Sequence, residues 1–211
     1  MTGALALLIL TTAPPSPSAV DVGALRKGEG ISDDDWQRLK TGDVITHRTP
    51  SRGKPPVGEG RGAFIIVVPA QHVFEQLGRV EEMPEYSTCL KAIQVLLRAQ
   101  HDGGSHIKAR ETHQSLWMKA SYTLDYWEDR ERNEIRWSLD PRALHDVVKM
   151  SGSWRVVALD DASALVLYRI SASAGRALPP VIEDYFAGMM MPGYLKNVRA
   201  HIEKAHARGE H

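Results

Sequence analysis

One cysteine, Cys89, stands in the whole chain, which excludes an intrachain disulfide and any zinc site built on paired cysteines. Beside Leu90 it reads as a small buried hydrophobe. Neither charge is in excess: 26 lysines and arginines face 26 aspartates and glutamates, so the basic footprint of a nucleic-acid binder is missing. No apolar run is long enough to span a bilayer as a helix. No HExxH, CxxC or GxSxG motif occurs, and no internal repeat is visible. His106 and His113 are an odd number of residues apart on one strand and point to opposite faces. His201 and His206 have a poor spacing for one helix face. No metal ligand, cofactor or catalytic residue is assigned on these grounds.

With 43% hydrophobic and 25% charged residues, the chain suits a globular domain with a sizeable core. An apolar run from Ala4 to Leu10 leads through a Pro/Ser stretch to Pro17-Ser18-Ala19. That pattern reads as a signal peptide over residues 1–19, although no Lys or Arg precedes the run. It predicts export to the periplasm or the medium; without it the protein stays in the cytoplasm.

Residues 20–40 read as a linker and a short helix, with Ser32 capping Asp33 to Lys40. Val44 to Thr49 is a short strand and Gly62 to Val68 (GAFIIVV) a strong one. Pro69-Ala70 then opens a helix with Val73, Phe74 and Leu77 on its apolar side, stopped by Gly78. A helical turn over Glu81 to Tyr86 follows. Strands are predicted over Leu90 to Ala99, Ser105 to Gln114, Leu116 to Trp127 and Glu134 to Leu139. The charged stretch Glu128 to Glu134 reads as a solvated turn. SGSWRVVALDDASALVLYRI, from Ser151 to Ile170, is a hairpin with Asp160 to Ser163 at its turn. Its two runs are apolar almost throughout, interrupted by Arg155 and Arg169. Pro179-Pro180 opens a long C-terminal helix striped by Ile182, Phe186, Met189, Leu195, Val198 and Ile202, with a kink or break expected at Pro192-Gly193. Strand, short helices, a run of about six strands and a long helix make an α+β layer architecture.

Four stretches in this order resemble the SRPBCC superfamily: Gly62 to Ala70, Met83-Pro84-Glu85-Tyr86, Ser151 to Val156 and Leu178-Pro179-Pro180. That superfamily includes START-like lipid-transfer domains, the polyketide cyclase/dehydrase and lipid transport family, and coenzyme Q-binding proteins. The resemblance places a START-like domain over residues 41–207. It implies a helix-grip fold: a curved antiparallel sheet wraps a long C-terminal helix, with two short helices after the first strand and a hydrophobic cavity between sheet and helix.

Strand parity names the candidate walls. Met118, Ala120, Tyr122, Leu124 and Tyr126 share one face, and Ile135, Trp137 and Leu139 share another. Apolar area with a few polar tips suits a hydrophobic ligand, and it equally suits a filled core. With the resemblance, the reading is a binding module. It holds a lipid, sterol, isoprenoid quinone or polyketide for transport or sequestration without chemistry, and touches membranes at most transiently. Met118, Tyr122, Tyr126, Trp137, Tyr185 and Met189 are the candidate ligand contacts. The alternatives are a cyclase or dehydrase, for which Tyr122, Tyr126 and His113 are the available inward acids and bases, and a partner-binding domain with a filled core. Oligomeric state is not legible.

Overall fold

In the computed structural model, which describes residues 20–52, 57–115, 118–173 and 190–209, eight strands form one antiparallel sheet. They are β1 (Ile45–Arg52), β2 (Val57–Ile66), β3 (Leu90–His101), β4 (Gly104–Ser115), β5 (Met118–Asp129), β6 (Glu134–Leu139), β7 (Lys149–Ala158) and β8 (Ala164–Ser173). Their order is β1-β2-β8-β7-β6-β5-β4-β3. After β2 the chain leaves the sheet through α3 (Ala70–Leu77), a 3₁₀ turn (Val80–Glu82) and α4 (Met83–Tyr86). It re-enters at the far edge as β3 and meanders back until β8 pairs with β2. The last described helix, α5 (Met191–Ala207), lies across the concave face. This is the helix-grip α+β fold.

The two terminal hairpins have a reason to be apolar on both sides. On the concave side Trp154, Val156, Val166 and Tyr168 join the main core with Leu195, Val198 and Ile202 of α5. On the convex side Val157, Leu165 and Leu167 join a second cluster with Ile31, Leu39, Ile45 and Ala63. Residues 20–40, expected as linker and one helix, are two helices that cover this second cluster. Helix α1 (Val22–Glu29) starts because the Asp21 carboxylate accepts from the Ala24 amide at 3.0 Å, and it ends at Gly30 in the left-handed conformation. Helix α2 (Asp33–Lys40) has the expected Ser32 cap, 3.0 Å from the Asp35 amide. Arg155 and Arg169 reach Glu29 at the end of α1, at 3.4 Å for Arg155, so the two charges inside the apolar hairpin tie the helix to the sheet.

Two further expectations are corrected. Pro192 sits in the first turn of the described helix, where a missing N–H leaves no bond unmade; the stretch from Pro179, on which the expected kink or break depends, lies outside the described residues. The hairpin expected from Ser151 begins earlier, since β7 starts at Lys149. Glu128 belongs to β5, not to a solvated turn: it is buried and accepts from Ser105 Oγ at 2.5 Å.

Helix α5 meets the sheet over glycines. A Cβ on Gly62 would stand 2.3 Å from Leu195 Cδ1, and one on Gly60 would stand 3.0 Å from Met191 Sδ. These glycines alternate along β2, so they share its concave face, and Met191 and Leu195 are one turn apart on α5. Gly62→Val is expected to destabilise the protein by about 1–3 kcal/mol in urea unfolding, because the helix must lift to make room. Leu195→Ala alone costs about 2–5 kcal/mol, as an emptied core site does. The double variant is expected to lose less than the sum, since each change relieves the other's misfit; additivity would mean that the contact does not set the helix position.

Candidate functional site

The concave face is an aromatic wall. Tyr126, Trp137 and Gly152 are register neighbours on β5, β6 and β7. A Cβ on Gly152 would stand 2.3 Å from Trp137 Cζ2, so the missing side chain is the space the indole occupies. Trp154 packs on Tyr168 with ring centres 4.4 Å apart, and Tyr194 of α5 closes on both, at 6.1 and 5.8 Å. Tyr86 of α4 lies 6.2 Å from Tyr194, and its carbonyl accepts from Asn197 Nδ2 at 3.2 Å. The α4 turn is thereby held against the helix beside the wall.

The Glu111 carboxylate stands among these rings. Glu111 on β4 is 2% exposed, in the same register position as Tyr122 on β5. Its Oε1 accepts from the Tyr126 hydroxyl, and its Oε2 lies 2.7 Å from His113 Nε2. His113 in turn stacks on Tyr122, with centroids 5.1 Å apart and planes 17° from parallel. Burial pushes the Tyr122 and Tyr126 hydroxyls well above the usual tyrosine range, and the Glu111 charge adds to the rise in each. Tyr86, Tyr168 and Tyr194 are raised mainly by burial as well, with Glu111 a smaller contributor. Five buried phenols therefore feel one acid. The arrangement can hold a proton between carboxylate, imidazole and phenol, and it can accept a hydrogen bond from a guest. Among the described residues no three His, Cys, Asp or Glu side chains gather to hold a metal ion.

Of the residues singled out by parity, Tyr122, Tyr126 and Trp137 are buried together on the concave face, with Ala120, Leu124 and Ile135. Tyr185 and Met189 lie outside the described residues, as does the side chain of Met118. Glu111 is the residue that the reading of inward acids and bases missed. Its signal was the same parity rule: Ile107, Ala109, Glu111 and His113 alternate along β4. His106 and His113 do point to opposite faces, His106 stacking on Trp127 at 3.8 Å and reaching Asp125 Oδ1 at 2.8 Å.

The phenols make the protein sensitive to alkali. Because burial raises their pKa, they stabilise the fold in full below the ordinary tyrosine value of ~10, and that stabilisation is lost as the pH rises through the higher folded-state values. In a spectrophotometric titration, tyrosinate from these residues is expected above the ordinary range. In Glu111→Gln the buried tyrosines are expected to ionise at lower pH than in the parent, since the charge that opposes tyrosinate is gone. An unshifted titration would separate Glu111 from the phenols.

The sequence profile of a family described as polyketide cyclase / dehydrase and lipid transport matches residues 66–186. No curated protein matches the chain. Among solved structures, a STAR-related lipid transfer protein from Xanthomonas axonopodis superposes with a TM-score of 0.60 at 18% identity, covering 76% of this chain and 93% of its own. The Zhui aromatase/cyclase from Streptomyces sp. R1128 gives 0.58 at 17% identity, covering 71% of this chain and 95% of its own. Human STARD10 gives 0.58 at 11% identity, covering 85% and 82%. At such identities the likeness is one of fold. The profile match runs from the end of β2 past β8, over more than half of the sequence, and on that ground the chain belongs to the polyketide cyclase/dehydrase and lipid transport family.

Proposed function

We propose that this protein binds a hydrophobic small molecule on the concave face, between the sheet and the C-terminal helix, and carries or sequesters it without chemistry. Membership of a START-like family and the aromatic wall support the reading. The walls are Tyr122, Tyr126 and Trp137, with Met118, Tyr185 and Met189 as the further contacts proposed from the sequence. The observation that carries the finer reading is the buried Glu111 carboxylate. A carboxylate has about four lone-pair sites, and Tyr126 and His113 occupy two. A guest that donates a hydrogen bond, such as a sterol, a quinol or a hydroxylated polyketide or lipid, adds a third partner to a group that is costly to bury poorly solvated. A guest that is itself an anion meets a like charge.

A second reading has one observation in its favour. The 2.7 Å contact between Glu111 and His113, beside Tyr122, is an acid–base pair facing the concave side, of the kind that a cyclase or dehydrase uses to move protons. Turnover of a polyketone substrate that collapses in Glu111→Gln would favour it.

Native mass spectrometry of the purified protein, with organic extraction of the bound molecule, tests the binding reading. A co-purifying apolar molecule is the expected result. A clean apo mass that stays unchanged after incubation with lipid, sterol and quinone mixtures overturns it. For the finer reading, dodecanol is expected to bind about tenfold more tightly than dodecyl methyl ether, the worth of one buried hydrogen bond, and Glu111→Gln to narrow that ratio. We also propose that residues 1–19 direct export; cell fractionation with N-terminal sequencing would show a cleaved periplasmic or secreted form, whereas an intact Met1 in the cytoplasm would remove this part.

A further inference from the structure

The convex face carries a second feature, separated from the concave wall by the thickness of the sheet. His47 on β1, Arg61 on β2 and Arg169 on β8 stand in one cross-strand row, each directly opposite the next. Two guanidiniums in such positions destabilise a sheet unless they are neutralised. The two outer members of the row have partners. His47 Nε2 lies 3.1 Å from Asp35 Oδ2, and Arg169 is held by Glu29, which also takes Arg155 at 3.4 Å. Arg61, in the middle, has no ion-pair partner among the described residues. Arg155 and Arg169 share Glu29, and Asp35 is taken by His47 and Arg38, at 3.1 and 3.9 Å, so neither carboxylate is left to pair with Arg61.

Beside this row opens a pocket of about 260 Å³. Ile31, Ile45, Ala63 and Leu167 line it and are buried, while Glu29, His47, Arg61 and Arg169 stand at its charged side. An apolar floor next to an unmatched guanidinium has the chemistry of an amphiphilic anion site. The volume is that of a small organic molecule, below the size of a diacyl lipid.

We propose that this pocket binds a small monocarboxylate with an apolar tail. The carboxylate lies on the Arg61 fork, where two parallel N–H···O bonds form, and the tail lies on the Ile45–Ala63–Leu167 floor. The Gly30 end of α1 forms one wall, so the bound molecule would join the N-terminal helix to the sheet and stabilise its docking by linkage. The concave site disfavours anions through Glu111, and the two faces therefore sort ligands by charge.

The test uses the full chain and octanoate, followed by methyl NMR. Saturable shifts are expected at Ile31, Ile45 and Leu167, with 1-octanol at least about tenfold weaker, because it lacks the charge. Arg61→Ala is expected to weaken octanoate about tenfold without disturbing the fold, as the side chain is exposed. Arg61→Lys, which keeps the charge and loses the fork, is expected to fall between the two. Four results would each overturn the site: no saturable shift, equal affinity for octanoate and octanol, indifference to Arg61→Ala, or shifts centred on Leu124 and Ile135 of the concave face instead.

Discussion

Helix α5 sits as deep in the sheet as it does because β2 has no side chains where they meet. Gly60 and Gly62 leave the room that Met191 and Leu195 fill. A strand of ordinary residues there would hold the helix away by the thickness of a side chain, and the concave face would open on one side. The rest of the wall is arranged around that contact. Tyr168 shares the register row of Gly62, and Tyr194 projects from the same helix onto Tyr168 and Trp154. Gly152 repeats the device on β7 to seat Trp137. Three glycines on one face thus decide where the helix and the largest side chain can go.

Among the aromatic rings of the wall, polarity gathers at Glu111. The Glu111 carboxylate is shared between a phenol and an imidazole and is surrounded by buried tyrosines. A charge in such a place persists only when its lone pairs are satisfied. Beside the outer pocket the arrangement is the opposite: Glu29 and Asp35 are already taken, and the Arg61 guanidinium has no ion-pair partner among the described residues. One sheet thereby presents a hydrogen-bond acceptor inward and a cation outward, on two apolar surfaces.

Much of this was legible in the chain. All eight strands follow from alternation and turn residues, and Ser32 announces α2. The faces of β5 and β6 follow from parity, because a side-chain period of two depends only on the backbone. Helix α1 was harder to see. It has no buried residue of its own, and its cap, Asp21, stands in a stretch without apolar periodicity. Glu111 obeyed the parity rule but is a charged residue among Arg110, Thr112 and His113, and composition alone sends such a stretch to solvent.

The sequence by itself determined the order of the strands and the face on which each strand residue lies, and it carries a single cysteine and no HExxH, CxxC or GxSxG motif. Tertiary structure alone decided which faces are covered. That β7 and β8 are buried on both sides depends on α1 and α2 returning across the sheet, contacts far apart along the chain. That Glu111 meets Tyr126 and Arg61 meets His47 and Arg169 depends on strand register, which brings distant residues within hydrogen-bond or charge range. Local patterns carry the first kind of information because they repeat along the backbone; the second exists only once the chain has folded.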